Sequence, residues 1–348
     1  MSDLDRLLAR HTSFWELRDS KDVLLARVPH PNWRPRPYPV AGGGWIESPR
    51  RIEPASVDVD RLLGLDGAPE DLTCGDMIRP VRTVFPVSWM ESLLGCPIFV
   101  SAYSCSAKPV AAGEPGITRF SMRDALASPW LPVMDRVVRR EVEAAAGTRP
   151  AGQLHLRGVV DMLAAYLGEE KLCTSLYDEP RQLERLAASF ARLYIEVARR
   201  GLAMRPPWNG GYTSVWGVHA PGDLVDYQMD ASSLISPELY RRHISRYDEM
   251  VLQEFSYSVL HLHACGMHLV DTIGRMRGVR AVEITLERET GKWDKDRIVA
   301  ACRLLKDMGK PLLLSGELSE READEMREEI GAGALAIFHW LPARPGHD

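Results

Sequence analysis

The sequence predicts an α/β protein built as a (β/α)8 TIM barrel with an irregular N-terminal extension, and three observations carry that expectation. From about residue 150, short apolar runs alternate with amphipathic helical patterns, the order that lays strands parallel to one another. The Gly-x-Gly-x-x-Gly loop that would mark a doubly wound dinucleotide fold does not follow any predicted strand, and Gly331-Ala332-Gly333 has the reverse context, after a helix and before a strand. Polar residues capable of chemistry recur at the carboxyl ends of the apolar runs, where a barrel gathers its reactive groups.

Residues 1–80 read as an extension. Pro29, Pro31, Pro35, Pro37 and Pro39 followed by Gly42-Gly43-Gly44 favour an extended or looping arm over packed helices. Trp15, Trp33 and Trp45 within it imply that the arm docks on the main body, since large aromatics left in water form an adhesive patch, and a homodimer interface is one use for such an arm. The barrel is expected over 81–348. Leu154 to Arg157 reads as a strand. Pro180 opens a helix whose Leu183, Leu186, Ala187, Phe190, Leu193 and Val197 form one apolar stripe, and Ser236-Pro237-Glu238 caps and starts another.

Next come a strand from Val259 to Cys265, a helix near 267–277, and the run Ala281 to Leu286. A helix near 294–308 follows, with Ile298, Cys302 and Leu305 on its apolar face. Pro311 to Leu314 forms another strand, Ser319 caps a charged helix that stops at Gly331, and Ala334 to Phe338 makes the last strand.

With 348 residues, 45% of them hydrophobic, the chain can bury a large core. A net charge of −5 offers no basic stripe for phosphate backbones, which argues against nucleic acid as a partner. No apolar stretch reaches bilayer length, and the opening Met1-Ser2-Asp3-Leu4-Asp5 lacks the basic and apolar regions of a secretion signal. A cytoplasmic protein without membrane contact is therefore expected. The six cysteines are scattered without a disulfide framework, which fits reduced thiols.

The candidate chemistry lies in Val259-Leu260-His261-Leu262-His263-Ala264-Cys265-Gly266. On a strand His263 and Cys265 project to one face with His261 one layer below, while Leu260, Leu262 and Ala264 pack on the other. An imidazole and a thiolate are ligands expected of zinc, although both residue types also occur as inert core groups. Taken as strand ends, Arg157, His263, Cys265, Glu287, Glu317 and His339 should all face one mouth. His268 reads as a helix-surface residue and His261 as a supporting or core group.

The order His263-x-Cys265, an acid at a following strand end and a further ligand at the last strand resembles the zinc methyltransferases of the uroporphyrinogen decarboxylase and cobalamin-independent methionine synthase superfamily. Phe85 to Pro97 (Phe-Pro-Val-Ser-Trp-Met-Glu-Ser-Leu-Leu-Gly-Cys-Pro) resembles the entry segment of its corrinoid-linked members. Leu156-Arg157-Gly158, Gly210 to Gly217, and Asp230 through Ser236-Pro237-Glu238-Leu239-Tyr240 also look like that group. The likeness spans roughly residues 80 to 342 and is one of pattern, not of close identity. Where corrinoid-linked members usually place a second cysteine as last ligand, this chain has His339-Trp340. The Arg-Gln-Ala-Gly-Arg-Tyr type segment that gathers porphyrinogen carboxylates is not seen, and neither is the corrinoid-binding Asp-x-His-x-x-Gly pattern.

The resemblance implies zinc held by His263 and Cys265, with His339 and Glu287 as candidate third and fourth ligands, and transfer of a methyl group to or from a thiol or similar soft nucleophile. Any cobalamin would be brought by a separate corrinoid protein. Arg157, Tyr212 and Asp230 would position a small-molecule substrate, with Trp216 as an apolar wall and Glu317 as a further binding group. Two other readings stand beside this one. One is a metal-independent decarboxylase-like lyase in which Arg157 and Asp230 bind a carboxylated substrate, and the other is a non-catalytic partner of a corrinoid protein.

Overall fold

The structure is a computed structural model that describes residues 1–17, 22–28, 37–66, 71–83, 87–102, 104–110, 120–288 and 294–340. Trp33, Pro29, Pro31, Pro35, Phe85 and Pro86, which figure in the expectations above, lie outside the described residues.

Seven parallel strands form the central sheet, numbered here in chain order: β1 (Val23–Val28), β2 (Leu156–Arg157), β3 (Leu224–Gln228), β4 (Tyr257–His263), β5 (Ala281–Leu286), β6 (Leu312–Glu317) and β7 (Leu335–Trp340). Consecutive strands pair from β2 to β7, and β7 pairs in turn with β1. The remaining gap between β1 and β2 is filled by the segment 76–82. Asp76 N donates to Leu25 O at 2.8 Å on one side, and on the other Val81 bridges Ala151 in parallel, with Val81 N donating to Pro150 O at 2.9 Å. An irregular eighth stave thus closes the ring, and the expected (β/α)8 barrel is the observed fold.

Side chains sort by the two-residue period of the strands. Leu24, Ala26, Leu224, Val259, Ala281, Leu313 and Ala336 meet inside the ring. Their neighbours Val225, Leu260, Leu262, Val282, Ile284, Leu312, Leu314, Leu335 and Ile337 pack outward against the helices. The long helix Pro180–Met204 buries Leu183, Leu186, Ala187, Phe190, Leu193 and Val197, the stripe read from the sequence. Each such leucine taken out of water contributes about 1.5–3 kcal/mol. Ser319 caps Glu320–Ile330 through a reciprocal pair with Glu322, and Gly331 ends that helix at φ 86°. Cys302 is core, and all six cysteines are free thiols.

The N-terminal region departs from the expected looping arm. Residues 3–15 form a helix, Asp3–Trp15, capped by Ser2 with Asp5 in reciprocal contact, and Val23–Val28 is β1 of the barrel itself. A boundary near residue 80 therefore cuts through the ring. This helix closes the N-terminal end of the barrel together with a hairpin, Tyr212–Thr213 against His219–Ala220, which pushes in from below. Trp15 Nε1 donates to His219 O at 2.7 Å, and His219 N donates to His11 Nδ1 at 3.0 Å. At the hairpin tip Val215 N donates to Asp226 Oδ2 at 2.8 Å. Gly217, at φ +89°, sits where a Cβ would come within 2.8 Å of Ile78 O, so the plug fits only with glycine there. Among the described residues no helix is long and apolar enough to cross a membrane.

Candidate functional site

The carboxyl end of β4 carries the centre of the site. His261 and His263 have the inward parity of Val259, and register sets His261 opposite Gln228 on β3 and Glu283 on β5. Their Nε2 atoms face each other at 3.0 Å. Asp230 opens the short turn directly after β3 and brings its Oδ1 to 3.6 Å from His261 Nε2 and 3.5 Å from His263 Nε2. That oxygen is buried and has no hydrogen-bond partner, an arrangement that costs free energy unless a cation or donor meets it. The three ligand atoms lie within 4.8 Å of one another, and two imidazoles plus a carboxylate suit zinc or a similar divalent ion.

A carboxylate stands behind each imidazole. Glu283, fully buried, takes His261 Nδ1 on one oxygen and the hydroxyls of Thr285 (2.9 Å) and Ser315 on the other. Glu287 Oε2 lies 3.1 Å from His263 Nδ1. With each Nδ1–H committed outward, loss of the proton that the two Nε2 atoms share would turn both lone pairs to the common centre, the outer-layer arrangement that orients metal-binding histidines. Burial would by itself lower the His261 pKa, but the adjoining Glu283 charge and hydrogen bond, helped by Asp230, raise it to about 9. Trp216, at the tip of the plug, stacks on His261 with ring centres 5.5 Å apart and planes 24° apart, and so makes the floor.

A second polar group adjoins the first. Arg157, beside Gln228 in the β2–β3 register, places Nη1 3.3 Å from Glu91 Oε1. Glu91 comes from the short helix Trp89–Leu93 and is 1% exposed, and burial raises its carboxyl pKa. Asp161, in the first turn of the helix Val159–Leu167, accepts from Ala231 N at 2.7 Å. Burial, and then the Asp230 charge, pushes its carboxyl up to about 8. The first turn of that helix is anchored by Val159 N donating to Tyr227 Oη at 2.8 Å, and Tyr227 in turn donates to buried Asp248.

The structure thus gathers Arg157, Asp230, Trp216, His263 and Glu287 from the residues expected at the mouth. Glu317 joins them on the inward face of β6, 3.9 Å from Arg288. Several expectations change. Strand β4 ends at His263, and the chain coils into the tight turn Ala264–Leu269, so alternation no longer carries Cys265 onto the face of His263, and it falls outside the three-ligand group. On β7 the inward positions are Ala336 and Phe338. His339 therefore points away from the mouth into a groove of about 500 Å³ on the outer wall, its Nδ1 against Leu318 O at 3.0 Å. Tyr212 lies in the plug at the opposite end, its hydroxyl donating to Arg205 O at 3.0 Å. His268 is held by its ring nitrogens at Cys265 O and Ile235 O instead of lying free on a helix surface.

His261 moves from supporting group to centre, and Glu91, Asp161 and Glu283 were not anticipated. The signal for Glu283 was available: it sits at the register position opposite His261 on the next strand. Glu91 and Asp161 come from helices, where no strand parity points to the mouth.

Neither a scan against protein-family models nor a search of curated proteins finds a match. Among solved structures, the chain is similar to a methyltransferase from Methanosarcina mazei, with a TM-score of 0.64 and 13% identity, covering 96% of this chain and 93% of that one. At that identity the likeness shows a shared fold over nearly the whole chain.

Proposed function

We propose that the protein is a zinc-dependent methyltransferase that moves a methyl group between a donor, either a corrinoid carried by a separate protein or another methyl carrier, and a thiol or similar soft nucleophile. The observation that carries this reading is the convergence of His261 Nε2, His263 Nε2 and the partnerless Asp230 Oδ1, at the mouth of a barrel similar in fold to a methyltransferase. Those three residues would hold the ion, with Cys265, in the turn directly after β4, as a candidate fourth ligand. When bound, zinc lowers the pKa of a thiol that it coordinates and so supplies a thiolate at neutral pH.

The remaining work falls to the protein. Glu283 and Glu287 fix the tautomer and orientation of the imidazoles. Trp216, stacked on His261, and the plug beneath it fill the barrel below the site. Arg157, at the end of β2, and Asp161, in the first turn of the helix that Tyr227 and Asp248 anchor, orient the polar part of the substrate.

Elemental analysis after zinc-replete expression tests the reading. About one zinc per chain is expected in the wild type, with loss in His261→Ala and in His263→Ala and retention at weakened affinity in Cys265→Ser. A wild type free of zinc, or both histidine variants fully loaded, removes the metal and leaves the lyase reading, in which Arg157 binds a substrate carboxylate.

A further inference from the structure

On the side of the histidine pair where Arg157 lies, the buried polar atoms left without a hydrogen-bond partner include both carboxyl oxygens of Glu91, Asp161 Oδ2, Gln228 Oε1 and Asp230 Oδ1. All are acceptors. Glu91 and Asp161 are 1% and 3% exposed, so bulk water does not answer them, and buried acceptors without donors are costly. Among the described residues, the Arg157 guanidinium approaches Glu91 at 3.3 Å, and its charge is felt by Asp161 as well. An ion held at Asp230, His261 and His263 would answer Asp230 but not Glu91, Asp161 and Gln228, which reach the mouth from a different side, on the helices that follow the closing segment and β2 and on β3.

We infer that this side of the mouth takes the ammonium head of an amine substrate, its N–H donors meeting Glu91, Asp161 and Gln228 beside the histidine pair. The inference deepens the methyltransferase reading and rests on it, since it names the substrate class of that same site. A protonated amine supplies what the cluster lacks, several donors and a positive charge in one small group. A carboxylate, sulfonate or phosphate head would be drawn to Arg157 but would meet the oxygens of Glu91, Asp161 and Gln228 with no hydrogen to offer them. Burial raises the Glu91 carboxyl pKa, and an ammonium beside it would favour the ionised form again.

The test compares three ligands of similar shape on zinc-replete wild type by titration calorimetry: dimethylammonium, isopropanol and isobutyrate, with zinc measured on the same sample. Dimethylammonium is expected to bind at least about tenfold tighter than isopropanol, with isobutyrate weakest. Glu91→Gln should reduce that preference about tenfold while zinc content stays unchanged. Should Glu91→Gln fail to fold, Gln228→Leu gives the same reading on a residue that carries no charge. Equal affinity for the three ligands, or tightest binding of isobutyrate, overturns the inference. Zinc present without amine preference removes this inference alone, and amine preference without zinc removes the metal reading alone.

Discussion

Each end of the barrel holds a pair of histidines, and the two pairs have opposite surroundings. At the lower end His11 and His219 sit among backbone groups. His11 donates from Nε2 to Asp76 O at 2.8 Å and accepts His219 N on Nδ1, while His219 Nδ1 meets Thr213 Oγ1 at 3.0 Å. Burial pushes both pKa values down to about 4, so they are neutral fasteners between helix and plug. At the mouth His261 and His263 are backed by Glu283 and Glu287 and face a partnerless carboxylate oxygen, and the His261 pKa rises to about 9. The same side chain is a neutral tie where backbone surrounds it and holds a proton firmly where carboxylates do.

The sharpest way to break that comparison is to loosen the lower end and ask whether the mouth notices. Trp15 is 8% exposed, lies 5.0 Å from Tyr257 ring to ring, and donates to His219 O. Trp15→Ala is expected to cost about 3–5 kcal/mol in urea unfolding, with zinc content per folded chain unchanged. A parallel loss of zinc would show that the two ends are not separate in function.

Acid provides the next largest effect. The folded pKa of His11, about 4, lies below the ordinary imidazole value of 6.5, so the unfolded chain takes up its proton first as pH falls. The stability that neutral His11 contributes is whole above pH 6.5 and is lost as pH drops towards 4, amounting to about 3 kcal/mol by the lower limit. Unfolding measured at pH 7 and at pH 4.5 should show this slope. His11→Gln, which keeps a donor and an acceptor in place, should lessen the slope by the His11 share while His219 keeps its own, and an unchanged slope would assign the acid sensitivity elsewhere.

Most of the ring could be read from the chain because its signals are local. Ala281–Leu286, Ser319 as a cap, and Gly331 as a stop follow from residues within a few positions of one another. The first helix was equally local in signal, with Ser2 and Asp5 in a capping box and Phe14 and Trp15 on its buried side, but the prolines and glycines that follow draw the whole segment toward an irregular reading. The errors at the site come from extending alternation past the end of a strand. Cys265 shares a face with His263 only if β4 continues, and it stops where the tight turn begins. His339 looked like a strand end, whereas β7 runs on to Trp340 and places His339 on the outer face. Glu91 and Asp161 reach the mouth from helices whose docking depends on contacts distant in sequence, such as Tyr227 with Asp248, and no short window contains that information.

At the mouth, the support behind the imidazole can be removed without touching the ligand itself. Glu283→Gln keeps the shape and the hydroxyl contacts from Thr285 and Ser315 but takes away the charge that orients His261. Zinc affinity should fall about 10- to 100-fold, read by competition with a chelator, while the unfolding midpoint shifts less than for Trp15→Ala. Unchanged affinity would mean that His261 is oriented by packing on Trp216 alone.

The smallest effect separates the ends most cleanly, because it concerns a residue that the chain alone placed in the chemistry. Tyr212 donates its hydroxyl to Arg205 O at 3.0 Å, at the end of the long helix and on the plug's outer flank, and burial raises its pKa. Tyr212→Phe removes one partly exposed hydrogen bond and leaves the ring in place, so about 0.5–1.5 kcal/mol of stability should go. Zinc content, chelator competition and amine preference should all match the wild type. A fall in any of these three with stability preserved would carry the influence of the plug up through Trp216 to His261, and the lower end would then have to be counted as part of the site.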